Sequence, residues 1–263
     1  MGMVRAARTA VALNPYTRAG AITAAALGSW YAMRRRRKAS TNMLQRIGKA
    51  GKAIAKRDNT ITDITPVPLS TRTLLATEMQ NVGRGTNNEI NLRQRDTCYI
   101  SGFKLCIEMR NNFTVNPLYV NVAVVYDKRS NDGTTVVGTG DFFRSRGGNT
   151  RAQDFGTALG GLEFRCLPLN TDRFSVIRHK RFMLLSKNPV NTTYAYATGK
   201  SFKLYEDWIP LKRRITFEDG SAQSKIWLLI WCDEMFANPG DAPEGGALTL
   251  TRRCTIYFKE PKV

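Results

Sequence analysis

Thirteen lysines and arginines fall within the first 57 residues, with no aspartate or glutamate among them. They are Arg5, Arg8, Arg18, Arg34, Arg35, Arg36, Arg37, Lys38, Arg46, Lys49, Lys52, Lys56 and Arg57. Cations at this density neutralise phosphates without reading bases, so they predict polyanion binding that weakens steeply with salt. The run Arg34-Arg35-Arg36-Arg37-Lys38 also has the composition of a nuclear import signal. Two further clusters lie downstream. Arg178 and Lys180 flank His179, which would add a pH-sensitive contact. Lys212, Arg213 and Arg214 follow Trp208, and basic residues beside an aromatic ring suit single-stranded bases. Such clusters are more often an ordinary solvated strand face.

Covalent and metal chemistry find no comparable constellation. The chain has one histidine, so a histidine-rich metal site is excluded and any Ser-His-Asp triad would have to use His179. Five cysteines (Cys98, Cys106, Cys166, Cys232, Cys254) form an odd set without a C-x-x-C pair, which argues against zinc. They read as small apolar core residues in a reducing compartment. Gly83-Arg84-Gly85 and Gly138-Thr139-Gly140 lack the residues that turn a glycine loop into a phosphate cradle. Asp233-Glu234 has no second acidic cluster for two-metal chemistry. Asp127 beside Lys128 and Arg129 reads as a strand-end ion pair, and two N-x-T sequons as chance matches. The expectation is a protein that is not an enzyme, with no cofactor and no metal.

The elements that must position these residues divide the chain unevenly. Of the net charge of +19, the first 57 residues hold +13, and the other 206 carry 27 basic against 21 acidic side chains. An ordinary globular body therefore carries a polybasic arm. With 42% apolar and 10% aromatic residues, that body can bury a proper core. Within the arm, the apolar stretch 19–33 is shorter than the roughly 20 residues that span a bilayer. Its charges follow rather than precede it, unlike a secretory signal, although an acid-free, Arg-rich start also fits a mitochondrial transit peptide. Residues 44–57 project Leu44, Ile47, Gly51 and Ile54 onto one side of a helical wheel and five cations onto the other. They read either as a basic amphipathic helix or as a tail that orders only on a polyanion. The same signature allows transient membrane contact.

Thr65-Pro66-Val67-Pro68 breaks any helix and predicts the hinge between an arm, 1–64, and a body, 65–263. Beyond it come eight β-like runs: 73–82, 97–109, 118–127, 173–186, 201–209, 211–218, 225–233 and 249–258. Turn residues such as Asn131-Asp132-Gly133 and Asn238-Pro239-Gly240 punctuate them. Eight strands without a long amphipathic helix predict an all-β fold, an eight-stranded single jelly roll (β-sandwich). The long connections 128–172 and 234–248 are expected to carry surface function or subunit contacts. Trp227, Leu229 and Trp231 share one strand face and predict core packing.

Several of these segments resemble the capsid proteins of small circular single-stranded DNA viruses, of the geminivirus and genomovirus type. Glu78–Met109, with Arg95 and then Tyr99-Ile100-Ser101-Gly102-Phe103-Lys104, is similar to that family's opening strand pair. Val122–Arg129 looks like its apolar strand ending in Asp-basic-Arg. Phe174–Phe182 resembles its strand with a central His/Asp-Lys pair, and Ile226–Trp231 and Cys254–Phe258 resemble its last two core strands. The resemblance covers roughly residues 70–260 and departs at the arm, which lacks the Cys/His cluster usual in geminiviruses. It implies a capsid protein whose copies assemble into a small icosahedral shell, with the arm facing a single-stranded DNA genome. It implies a virion and host-nucleus location, with the host nuclear import machinery as a further partner. Charge alone does not separate DNA from RNA, so a coat protein of a small RNA or satellite virus remains open. So does a cellular single-stranded nucleic-acid-binding protein, mitochondrial or nuclear.

Overall fold

A computed structural model describes residues 54–85, 92–114, 116–128, 140–144, 152–155, 159–186, 201–218, 221–234 and 242–260. In chain order the strands are β1 (Ile54–Thr62), β2 (Val67–Leu69), β3 (Leu74–Glu78), β4 (Thr97–Asn111), β5 (Leu118–Asp127), β6 (Phe143–Arg144) and β7 (Ala152–Gln153). A short helix, α1 (Gly161–Cys166), precedes β8 (Phe174–Leu184), β9 (Phe202–Glu218), β10 (Ser221–Ala222), β11 (Ile226–Glu234) and β12 (Leu248–Glu260). Alternation sets most of them. In β4, Ile100, Leu105, Ile107 and Met109 are buried while Lys104 and Arg110 face water. In β12 every second residue from Leu248 to Glu260 is buried.

Pairing runs from the outside inward along the chain. β1 and β2 both pair with β12, β3 with β11, β4 with β9, and β5 with β8, all antiparallel. The resulting sheets have the orders β1-β12-β4-β9-β10, with β2 also on β12, and β3-β11-β5-β8. First-half strands nested against second-half strands, and split over two sheets, form a jelly roll. The expected fold class therefore holds. A first core of apolar side chains fills the space between the sheets.

A second core lies on the far side of the four-stranded sheet. Phe142, Phe143, Phe155, Phe164 and Phe174 pack against Trp227, Leu229 and Trp231. Phe142 meets Phe143, Phe155, Phe174 and Trp231 edge-to-face at centroid distances of 4.8–5.6 Å. This covering explains why all nine residues of β11 are buried, since both of its faces are packed. The expected core role of the two tryptophans holds. The described part of the β5–β8 connection is a hydrophobic cover over that sheet.

Three expectations need correction. Residues 54–57, the end of the helix candidate, form the start of β1, because β12 offers them ladder partners from Glu260 to Tyr257. Thr65-Pro66-Val67-Pro68 is not a hinge between arm and body. Thr65 and Pro66 lie in the link between β1 and β2, and Val67 and Pro68 are already in β2, along the same edge of β12, where Pro68 costs no ladder bond on the solvent side. The compact unit accordingly begins at Ile54 rather than at residue 65. Finally, 201–209 and 211–218 are one strand running through Pro210. A bulge opposite Ile100–Gly102, with Lys212 at φ 53°, bends it without ending it.

Candidate nucleic-acid interface

The cations proposed for phosphate contact are dispersed over three places and one undescribed region. Arg34, Arg35, Arg36, Arg37, Lys38, Arg46, Lys49 and Lys52 lie outside the described residues, as does most of the 44–57 helix candidate. Lys56 is a correction to the phosphate-contact set. Its ammonium donates to Glu260 Oε2 at 2.7 Å and to the Leu92 carbonyl at 2.9 Å, and its side chain is 4% exposed. Glu260 Oε1 also accepts from the Gln94 and Arg95 amides. The pair pins the 92–95 segment to the sheet edge, which leaves no face for a phosphate.

Arg178 is likewise engaged. Its guanidinium holds Asp207 through two contacts, at 2.7 and 3.1 Å, and the Tyr205 hydroxyl donates to the same carboxylate at 2.8 Å. Burial, then the bond to Asp207, pushes the Tyr205 phenol well above its ordinary range. This cluster ties β8 to β9 across the edge of the sandwich. Lys180 is exposed on β8. His179 faces the other way, 3.0 Å from Asn121 Oδ1 and 5.5 Å from the Trp231 ring. Burial, with Arg181 adding repulsion, lowers its pKa to about 4. It is therefore neutral at physiological pH, and its expected role as a charged genome contact or a near-neutral switch is not supported by this position.

Lys212, Arg213 and Arg214 are all exposed because the bulge breaks the alternation there. The Arg213 guanidinium lies 5.6 Å from the Tyr126 ring centroid. Trp208, linked to this cluster by sequence proximity, stands instead on the outer face of the six-stranded sheet.

That outer face holds a grouping the sequence does not announce. Trp208 lies across from Lys104, while Thr255 joins Lys104 to Asn59 in the same row. The next row places Tyr257 between Arg57 and Gly102. The Trp208 and Tyr257 rings meet edge-to-face at 5.2 Å. Beside them runs an open groove of about 460 Å³, lined by Arg57, Lys104, Arg253 and Tyr257, with Asp58 and Glu206 as its acidic members. Four strands distant in sequence contribute, so only the sheet order assembles it. Cys106 sits in the same groove, and burial, reinforced by Glu206, raises its thiol pKa.

Among the described residues, no group of three or more His, Cys, Asp or Glu side chains is arranged to hold a metal, and no helix is long and apolar enough to cross a membrane. No protein-family model matches the chain, and no curated protein matches it. Two solved structures of infectious bursal disease virus align with it. That of the Gx strain is 8% identical with a TM-score of 0.29, over 80% of this chain and 32% of that one. That of the Gt strain is 8% identical with a TM-score of 0.15, over 81% and 36%. The chain thus spans about a third of the length of these matched chains. Likeness at this level carries no argument about function, and the fold assignment stands on the strand order alone.

Proposed function

We propose that this chain is the structural capsid protein of a small virus, and not an enzyme. In this reading its copies self-assemble into a closed icosahedral shell of 60 subunits and package the genome electrostatically. The supporting observation is the union, in one chain, of a nested jelly roll with an acid-free basic segment. Excluding Lys56 and Arg57, which belong to β1, residues 1–53 keep 11 cations. Sixty copies would bring about 660 charges to the phosphates of a small genome. The resemblance of residues 70–260 to geminivirus and genomovirus capsid proteins favours circular single-stranded DNA as the cargo. Arg34–Lys38 would then engage the host nuclear import machinery, giving a virion and host-nucleus location. The apolar and basic arm could contact membranes transiently on entry.

Electron microscopy of the purified, nuclease-treated protein, with its 260/280 nm absorbance ratio, tests this. Uniform closed shells with protected nucleic acid are expected, and DNase against RNase digestion after disruption identifies the cargo. A monomer or small oligomer across varied salt and pH refutes the capsid reading and favours a cellular binding protein.

A further inference from the structure

We propose that the outer face of the six-stranded sheet is a second polynucleotide site, separate from the arm, in which a base of a single strand stacks on Trp208 while its phosphates follow the Arg57–Lys104–Arg253 groove. It deepens the packaging reading above, on which its biological meaning rests.

Three observations converge on this surface. First, Trp208 is 45% exposed, although Trp227 and Trp231 are packed at 5% and 1%. A large aromatic left half in water on a sheet face keeps surface on which a base can stack.

Second, the ring is held in place rather than trailing in solvent. Gly102 lies beneath it, and a Cβ there would approach Trp208 Cζ2 to 2.8 Å and the Ile209 carbonyl oxygen to 2.6 Å. The Tyr257 ring meets it edge-to-face at 5.2 Å and leaves Trp208 45% exposed. A preorganised ring loses little conformational freedom when a base covers it.

Third, charge surrounds the ring. Lys104 is the direct cross-strand neighbour of Trp208, and Arg57 that of Tyr257. Arg253 completes the basic lining against Asp58 and Glu206. Beyond the groove, the exposed Arg214 and Lys259 flank Tyr99 in one row of the same face. The excess of cations suits a phosphate backbone, and a π-face accepts any base, so the site would bind without sequence preference.

The test uses the full chain and separates stacking from charge. Binding of wild type and Trp208→Ala is compared on an oligothymidylate, the matching oligouridylate, and inorganic polyphosphate, which carries charge but no bases. Loss of about tenfold on the oligonucleotides, with polyphosphate unchanged, is expected. Equal affinity on all three probes, or an equal loss on all three, overturns the proposal. The DNA and RNA arms show which backbone the groove prefers. Because Trp208→Ala could disturb folding, photo-cross-linking of wild type to a halogenated-uracil oligonucleotide provides an independent readout. Adducts at Trp208 or Tyr257 are expected, and adducts confined to residues 1–53 overturn the site. Intact, loaded shells from Trp208→Ala with unchanged oligonucleotide affinity would sink this inference and spare the capsid reading. Adducts at Trp208 in a protein that never forms shells would do the reverse.

Discussion

Replacing Lys56 by alanine tests where the body of this protein begins. If residues 54–57 belonged to a helical or loose arm, the change would remove one surface cation and leave stability untouched. In the fold it leaves Glu260, 3% exposed, without its ammonium partner. Removing one member of a buried ion pair costs about 3–5 kcal/mol. The two backbone amides from Gln94 and Arg95 stay on Glu260, which puts Lys56→Ala near the lower end, ~3 kcal/mol. Glu260→Ala should cost more, ~5 kcal/mol, because it strands the Lys56 ammonium with only the Leu92 carbonyl and orphans both amides. Lys56→Met with Glu260→Met should cost less than the sum of the singles. Urea unfolding, followed by tryptophan fluorescence, measures these three variants against wild type. A chain starting at residue 54 should match the full-length body, and one starting at residue 58 should show the Lys56→Ala deficit or worse. A Lys56→Ala change within about 0.5 kcal/mol of wild type would refute the placement of β1.

The remaining predictions concern the second core, the lone histidine and the thiols. Trp231→Ala should cost about 3–5 kcal/mol in the same denaturant assay, since it opens a cavity among Phe142, Phe143 and His179. Near-wild-type stability would mean that the aromatic cover does not pack as described. The folded His179 pKa lies below its unfolded value, so its contribution to stability is complete above about pH 6.5 and is lost as pH falls towards about 4. An NMR titration midpoint above 6, or a stability profile over that window unchanged in His179→Gln, would contradict this. Thiol reagents should label exposed Cys166 first and Cys106 slowly, while buried Cys98, Cys232 and Cys254 react only on unfolding. Burial raises the Cys98 and Cys254 thiols to about 11, which keeps them unreactive at neutral pH. Native-state labelling of all five would show an opened core.

Strand identity was written locally. A period-2 run such as 249–258 buries one face whatever its partners, so it is legible in a window of ten residues, whereas 118–127 is packed on both faces, against the first core and the aromatic second core. Trp227 and Trp231 announced burial through shared parity, although not that it would occur in a second core. The sandwich followed from the count of such runs and from the lack of long helices. The acid-free arm was equally plain, because net charge requires no geometry.

What depends on partners distant in sequence was not legible. β1 reads as the tail of a basic helix until β12, about two hundred residues away, supplies its hydrogen bonds and Glu260 takes up Lys56. Pro210 reads as a break until β4 holds both halves of β9 in one ladder across a bulge. Arg178 reads as a phosphate ligand until Asp207 reaches it from the opposite sheet. Trp208 reads as a companion of Lys212–Arg214, but its neighbours are Lys104 and Tyr257, set by sheet order. The sequence by itself determined most of the long strands and the acid-free basic character of residues 1–57, because periodicity and charge are local properties. Tertiary structure alone decided which cations are sealed in ion pairs and which line an open groove, because long-range pairing chooses each side chain's neighbours.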